Sequence, residues 1–154
     1  MKKYFFFFLL MSGLASFNAR ADGAVAIIVN HSNTLDSVPF HQLVQIFKQE
    51  KQFWSGTQKI YVLMMGNSQD GKDKMLSMVY QMPEDELKKT WIEKLYRAEI
   101  SDTPKVVLTP ETMKKFVASI SNSIGFINMS DVDSSVKVLK IDGKGPSDEG
   151  YPLK

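Results

Sequence analysis

No cysteine occurs in the 154 residues, which excludes disulfides, thiol nucleophiles and cysteine-ligated metals and leaves an apolar core alone to hold the fold. Histidine is nearly as scarce, with only His31 and His41. They lack the spacing of a helical metal pair and have no cysteine to complete a ligand set, so no metal site is expected. Neither a Ser-His-Asp set, nor a paired-glutamate arrangement, nor a phosphate-loop motif is present, and the chain reads as a binding protein without a cofactor rather than an enzyme. Excess positive charge is also missing. The formal charge of +2 includes Lys2, Lys3 and Arg20, and without those three it is −1. The remaining lysines are scattered among acids, so nucleic acid is not an expected partner.

Long apolar runs are confined to the start. Lys2 and Lys3 precede Tyr4-Phe5-Phe6-Phe7-Phe8-Leu9-Leu10-Met11, and the run thins toward Ala19-Arg20-Ala21. This tripartite pattern reads as a secretory signal over residues 1–21, with Asp22 as the expected new N-terminus. Its ~14 apolar-biased residues fall short of the about 20 that a spanning helix needs. No other segment is expected to span a membrane, and the periplasm is the expected compartment. The domain itself is expected over residues 22–142. Residues 143–154, with few large apolar side chains, read as a loosely held tail.

Within the domain, apolar runs alternate with helical periodicity. Ala24-Val25-Ala26-Ile27-Ile28-Val29-Asn30 and Ile60-Tyr61-Val62-Leu63-Met64-Met65 suit buried strands. Val38-Pro39-Phe40, followed by Leu43, Val44, Ile46 and Phe47, suits a helix capped by Ser37 or Asp36. Pro83-Glu84-Asp85-Glu86 opens a helix with acids at its positive end and an apolar stripe of Leu87, Trp91, Ile92 and Leu95. Thr109-Pro110-Glu111 opens another, with Met113, Phe116, Val117 and Ile120 facing inward. Val106-Val107-Leu108, Ile124-Gly125-Phe126-Ile127-Asn128 and Val136-Lys137-Val138-Leu139-Lys140-Ile141 read as further strands, the last with an edge strand's alternation.

This order predicts an α/β three-layer sandwich with a mostly parallel sheet of four or five strands. The expected core comprises Ile27, Val29, Leu43, Phe47, Val62, Leu63, Leu76, Trp91, Phe116, Ile124, Phe126 and Val138. Met75, Met78 and Met82 read as core or groove filling. Trp54 and Trp91 read as core anchors, although Phe53-Trp54 in a turn could also face a partner.

Several pieces in this order resemble one family, the phosphate-type periplasmic substrate-binding proteins of ABC transporters. They are Val29-Asn30 at a strand end, Gln45-Ile46-Phe47-Lys48 at a helix end, Trp54-x-Gly56, Lys59-Ile60-Tyr61-Val62, and Asn122-Ser123-Ile124-Gly125-Phe126-Ile127. The collinear set spans nearly all of the expected domain. The resemblance implies one lobe of a periplasmic-binding-protein-like fold, since the family has two lobes and about twice this length. It also implies an oxyanion ligand, phosphate-like, at the polar stretch after the second strand. That stretch is Gly66-Asn67-Ser68-Gln69-Asp70-Gly71-Lys72.

The candidate ligand-binding residues are Asn67, Ser68, Gln69, Asp70, Gly71 and Lys72, with Asn30 a second candidate at a strand's carboxyl end. Helix N-terminal amides, the Ser68 hydroxyl and the Lys72 charge would favour an anion, while Asp70 would repel one. The family's arginine and Ser-Gly-Thr order are absent here. Ser68 or Asp70 suits a helix cap equally well, with Gly71 relaxing the turn. The expected partner is thus a small oxyanion or, alternatively, an envelope protein docking on a fold that has lost its ligand.

Overall fold

The structure is a computed structural model that describes residues 23–66 and 70–154. Its six-stranded sheet has the order β2-β6-β1-β5-β3-β4. The strands are β1 (Val25–Val29), β2 (Ser37–Val38), β3 (Tyr61–Met65), β4 (Lys105–Val107), β5 (Ser123–Asn128) and β6 (Lys137–Ile141). Three of the five pairings are parallel (β2 with β6, β5 with β3, β3 with β4), and β1 runs antiparallel to both β5 and β6. The sheet is therefore mostly parallel, as expected.

Strand β1 buries all five of its residues because helices cover both faces of the sheet. On one face lie α1 (Phe40–Phe47), α2 (Asp70–Lys74) with its π-helical continuation Met75–Tyr80, and α3 (Glu84–Tyr96). A line of edge-on rings joins them to the sheet: Phe126 to Phe47 at 6.1 Å, Phe47 to Tyr80 at 6.0 Å and Tyr80 to Trp91 at 5.9 Å between centroids. On the other face lies α4 (Pro110–Ser119). A Cβ added at Gly125, next to Phe126 and so on the opposite face, would collide with Met113 Sδ of this helix. Glycine here lets α4 approach the strand closely.

Several local expectations change. The Thr109 hydroxyl caps α4 by accepting from Thr112 N at 3.1 Å, as its Thr-Pro start suggests. Ser37 and Asp36 do not cap α1. Ser37 is instead in β2, a sixth strand only two residues long, and its hydroxyl accepts from Gly143 N. The Phe40 amide at the start of α1 is taken by Asp142 Oδ1 at 3.0 Å, a cap supplied from the far end of the chain. Because β2 flanks β6, the alternating β6 is not an edge; β2 and β4 are.

Nine of the twelve expected core residues are buried, while Leu76, Phe116 and Val138 are only partly so and pack against the core from its rim. Ile92 and Leu95, expected inward on α3, are exposed because only Leu87 and Trp91 of that helix reach the core. Residues 143–154 are not loose either. Tyr151 and Leu153 are buried, the Tyr151 hydroxyl donates to Val25 O at 2.8 Å, and Val25 N donates to Leu153 O at 2.9 Å. Two apolar side chains and two hydrogen bonds to β1 are enough to fasten a segment whose composition reads as coil.

Candidate functional site

Strand direction separates the candidate residues into two groups. Because β1 is antiparallel to β5 and β5 is parallel to β3, the carboxyl end of β1 lies at the opposite edge of the sheet from the carboxyl end of β3. Asn30 comes directly after β1, whereas Gly66 and the start of α2 come after β3. The structure therefore does not bring Asn30 to the stretch 66–72.

Asn30 is instead fully employed in holding the fold. Its Nδ2 donates to Val117 O at 2.9 Å and to Ala118 O at 2.8 Å, closing the last turn of α4. Its Oδ1 accepts from Ser32 N at 2.9 Å. A buried amide that satisfies the orphan carbonyls of a helix end has little capacity left for a ligand.

At the carboxyl edge of β3, Asn67, Ser68 and Gln69 lie outside the described residues, and Asp70 opens α2. Gly71 is buried against the sheet. A Cβ there would stand 3.3 Å from Asn128 Oδ1, 3.5 Å from Val25 Cγ2 and 3.7 Å from Phe126 Cδ2, so glycine allows the first turn of α2 to rest on β1 and β5.

Lys72, expected to face a ligand, is turned inward and is 2 % exposed. Its Nζ donates to Gly66 O at 2.9 Å and forms an ion pair with Glu84 Oε2 at 2.6 Å. Glu84 also meets Lys88 at 2.7 Å. The hydrogen bond from Lys72, and then that from Lys88, hold the Glu84 carboxyl below its ordinary range. Lys72 thus ties the end of β3 to the start of α3. Its charge is compensated by a carboxylate.

The edge adds one residue that the sequence marks only as plain strand. Asn128 ends β5, and its Oδ1 is buried without a hydrogen-bond partner among the described residues. It lines a crevice with Met65, Gly71, Pro110 and Asp131. The crevice holds only about 10 Å³ of free space, room for about one water. An anion at this edge would lie over the crevice and not inside it. Two helices, α2 and α4, begin at this same edge, so their N-terminal dipoles both favour negative charge there. The available signal was an asparagine at the carboxyl end of a strand, where open α/β sheets bind ligands.

No family model matches the sequence, and no curated protein does. Solved structures do. An ABC-type phosphate transport receptor from Vibrio cholerae superposes with a TM-score of 0.65 at 25% identity over 80% of this chain. A putative phosphate ABC transporter substrate-binding protein from Clostridium perfringens, solved with bound phosphate, gives 0.62 at 20% identity over 78%. PstS from Borrelia burgdorferi gives 0.65 at 14% identity over 84%. The chain resembles PstS-type proteins in fold.

The chain spans about half the length of these neighbours: 48%, 45% and 53% of their respective chains. It has the architecture of one lobe, as the order of its strands and helices suggests. The neighbours are receptors and substrate-binding proteins, not enzymes, in line with the absence of a catalytic set in the sequence. No helix among the described residues is long and apolar enough to cross a membrane.

Proposed function

We propose that this domain is exported to the periplasm by its N-terminal signal and binds a small, phosphate-like oxyanion at the carboxyl edge of β3. Residues 67–71 and Asn128 would contact the anion, and Lys72 would hold the stretch in place. The observation that carries this reading is the 25% identity with a phosphate transport receptor over 80% of the chain, together with the site's position at the sheet edge where two helices begin. A protonated oxyanion could donate to Asn128 Oδ1, the buried acceptor that lacks a partner, while helix amides and the Ser68 hydroxyl would donate to its other oxygens. One lobe leaves such an anion half exposed, and no arginine offers a bidentate contact, so affinity should be modest, with Kd of about 1 mM.

Titration calorimetry with phosphate and sulfate tests the reading. Saturable binding of phosphate that is weakened by Ser68→Ala supports it. Absence of heat from either anion at about 10 mM would overturn it.

A further inference from the structure

The opposite edge of the sheet carries a cavity that the oxyanion reading does not use. It encloses about 360 Å³, within the usual range for small-molecule sites. Three distant segments meet there: the turn after β1, the turn before β3 that holds Trp54 to Gln58, and the Ser121-Asn122 turn before β5. Nine residues line it and none is charged, although 23% of the chain is. The lining consists of hydroxyl and amide side chains, one leucine and the Trp54 indole.

We propose that this cavity binds a neutral polyhydroxylated ligand, a sugar ring, with Trp54 as its apolar platform. No charged side chain lines the cavity, and Lys137, which donates to Asn33 O at 3.1 Å, is already paired with Asp36 at 2.7 Å, which disfavours an ion as the ligand. The mixture of amides, hydroxyls and one indole fits a sugar, which presents a C–H face to an aromatic ring and hydroxyls to donors and acceptors.

The polar groups are also held ready. Trp54 Nε1 donates to Asn122 O at 3.2 Å and Trp54 N to Gln58 O at 3.0 Å, which fixes the indole and its turn. Asn33 Oδ1 accepts from Leu35 N at 2.9 Å, leaving its Nδ2 to donate outward. Ser55 Oγ donates to Gln58 Oε1 at 3.2 Å, leaving Gln58 Nε2 to donate. Thr34 and the Asn122 amide have no side-chain hydrogen bond among the described residues. Spare donors and acceptors on a fixed frame lower the ordering cost of binding.

The test is a proton–nitrogen NMR titration of the purified protein with glucose, maltotriose, cellotriose and chitotriose, with a uronic acid trimer as the charged control. The expected result is a saturable shift of the Trp54 indole N–H and the amides of residues 32–35 and 122, with Kd of about 1 mM for at least one neutral trimer. The charged control should bind more weakly. Glucose binding as well as the trimer would identify a free sugar as the ligand, and preference for the trimer a glycan chain. Trp54→Ala should weaken binding about tenfold or more and Gln58→Ala, at an exposed position, about threefold. No saturable shift from any neutral sugar at about 50 mM would overturn the proposal, as would shifts unchanged by both substitutions. Phosphate should leave these signals in place, so failure here is distinguishable from failure at the other edge.

Discussion

At the carboxyl edge of β3, a buried lysine paired with Glu84 and two helix starts surround Gly71 and Asn128, whereas the opposite edge offers Trp54 among amides and hydroxyls with no charge. Both edges belong to one sheet and share its core, so the contrast lies in the elements joined to each strand end. The turns after β3 and β4 lead straight into helices, and their dipoles set a positive field. The turn before β5 follows the C-terminal end of α4, whose negative dipole end disfavours an anion there. The direction of the strands therefore decides which edge suits an anion and which suits a neutral ligand.

Phe126→Ala should be the most damaging way to break this contrast. The Phe126 ring underlies Gly71, on the anion side, and packs on Phe47 in the core. Its truncation should cost about 3–5 kcal/mol in urea unfolding and weaken phosphate binding more than sugar binding.

Asn30→Ala separates fold from ligand at the other edge. It removes the donors to Val117 O and Ala118 O, and a loss of about 2–3 kcal/mol is expected from the same unfolding measurement. Phosphate affinity of the folded variant should not change. A lost anion affinity would restore Asn30 as a ligand-binding residue.

Lys72→Met probes the clamp. Glu84 keeps Lys88 and is partly exposed, so the expected loss is about 1–2 kcal/mol. In the native protein the Glu84 carboxyl titrates below its ordinary value of 4.5. The stabilisation it contributes is therefore present above that pH and is lost as pH falls through the lowered folded value. The variant should show a smaller loss of stability on acidification, measured by thermal melts between about pH 6 and pH 3. An unchanged acid profile would mean that Lys72 does not support Glu84 in solution.

The smallest effect is expected from Asp70→Asn. Removal of a negative charge from the stretch proposed to hold the anion should tighten phosphate binding by about two- to threefold at low salt, with the gain fading as salt is added. Calorimetry in two buffers checks both halves of that expectation.

Most of the architecture is legible from periodicity, and the reasons for the gaps are specific. The run from Ala24 to Val29 announces a strand buried on both faces, but the same run suits either pairing direction. Only the structure shows its antiparallel course, and hence the location of Asn30. Thr109-Pro110 can be read as a helix start because the cap is local. The cap of α1 cannot, because Asp142 arrives from about a hundred residues away. Lys72 reads as a ligand contact from its charge, and its burial depends on Glu84, which composition does not connect to it. Asn128 carries no local signal beyond ending a strand, and only its missing partner draws notice.

The central claim is that the anion-binding edge is the one where α2 and α4 begin. A proton–nitrogen NMR titration with phosphate tests it most directly. The predicted result is a saturable shift of the Gly66, Gly71 and Lys72 amides and the Asn128 side-chain amide, with the signals of Asn30, Ser32 and the Trp54 indole unmoved. Phosphate-dependent shifts confined to Asn30 and the Trp54 cavity, or none at about 20 mM phosphate, would contradict it.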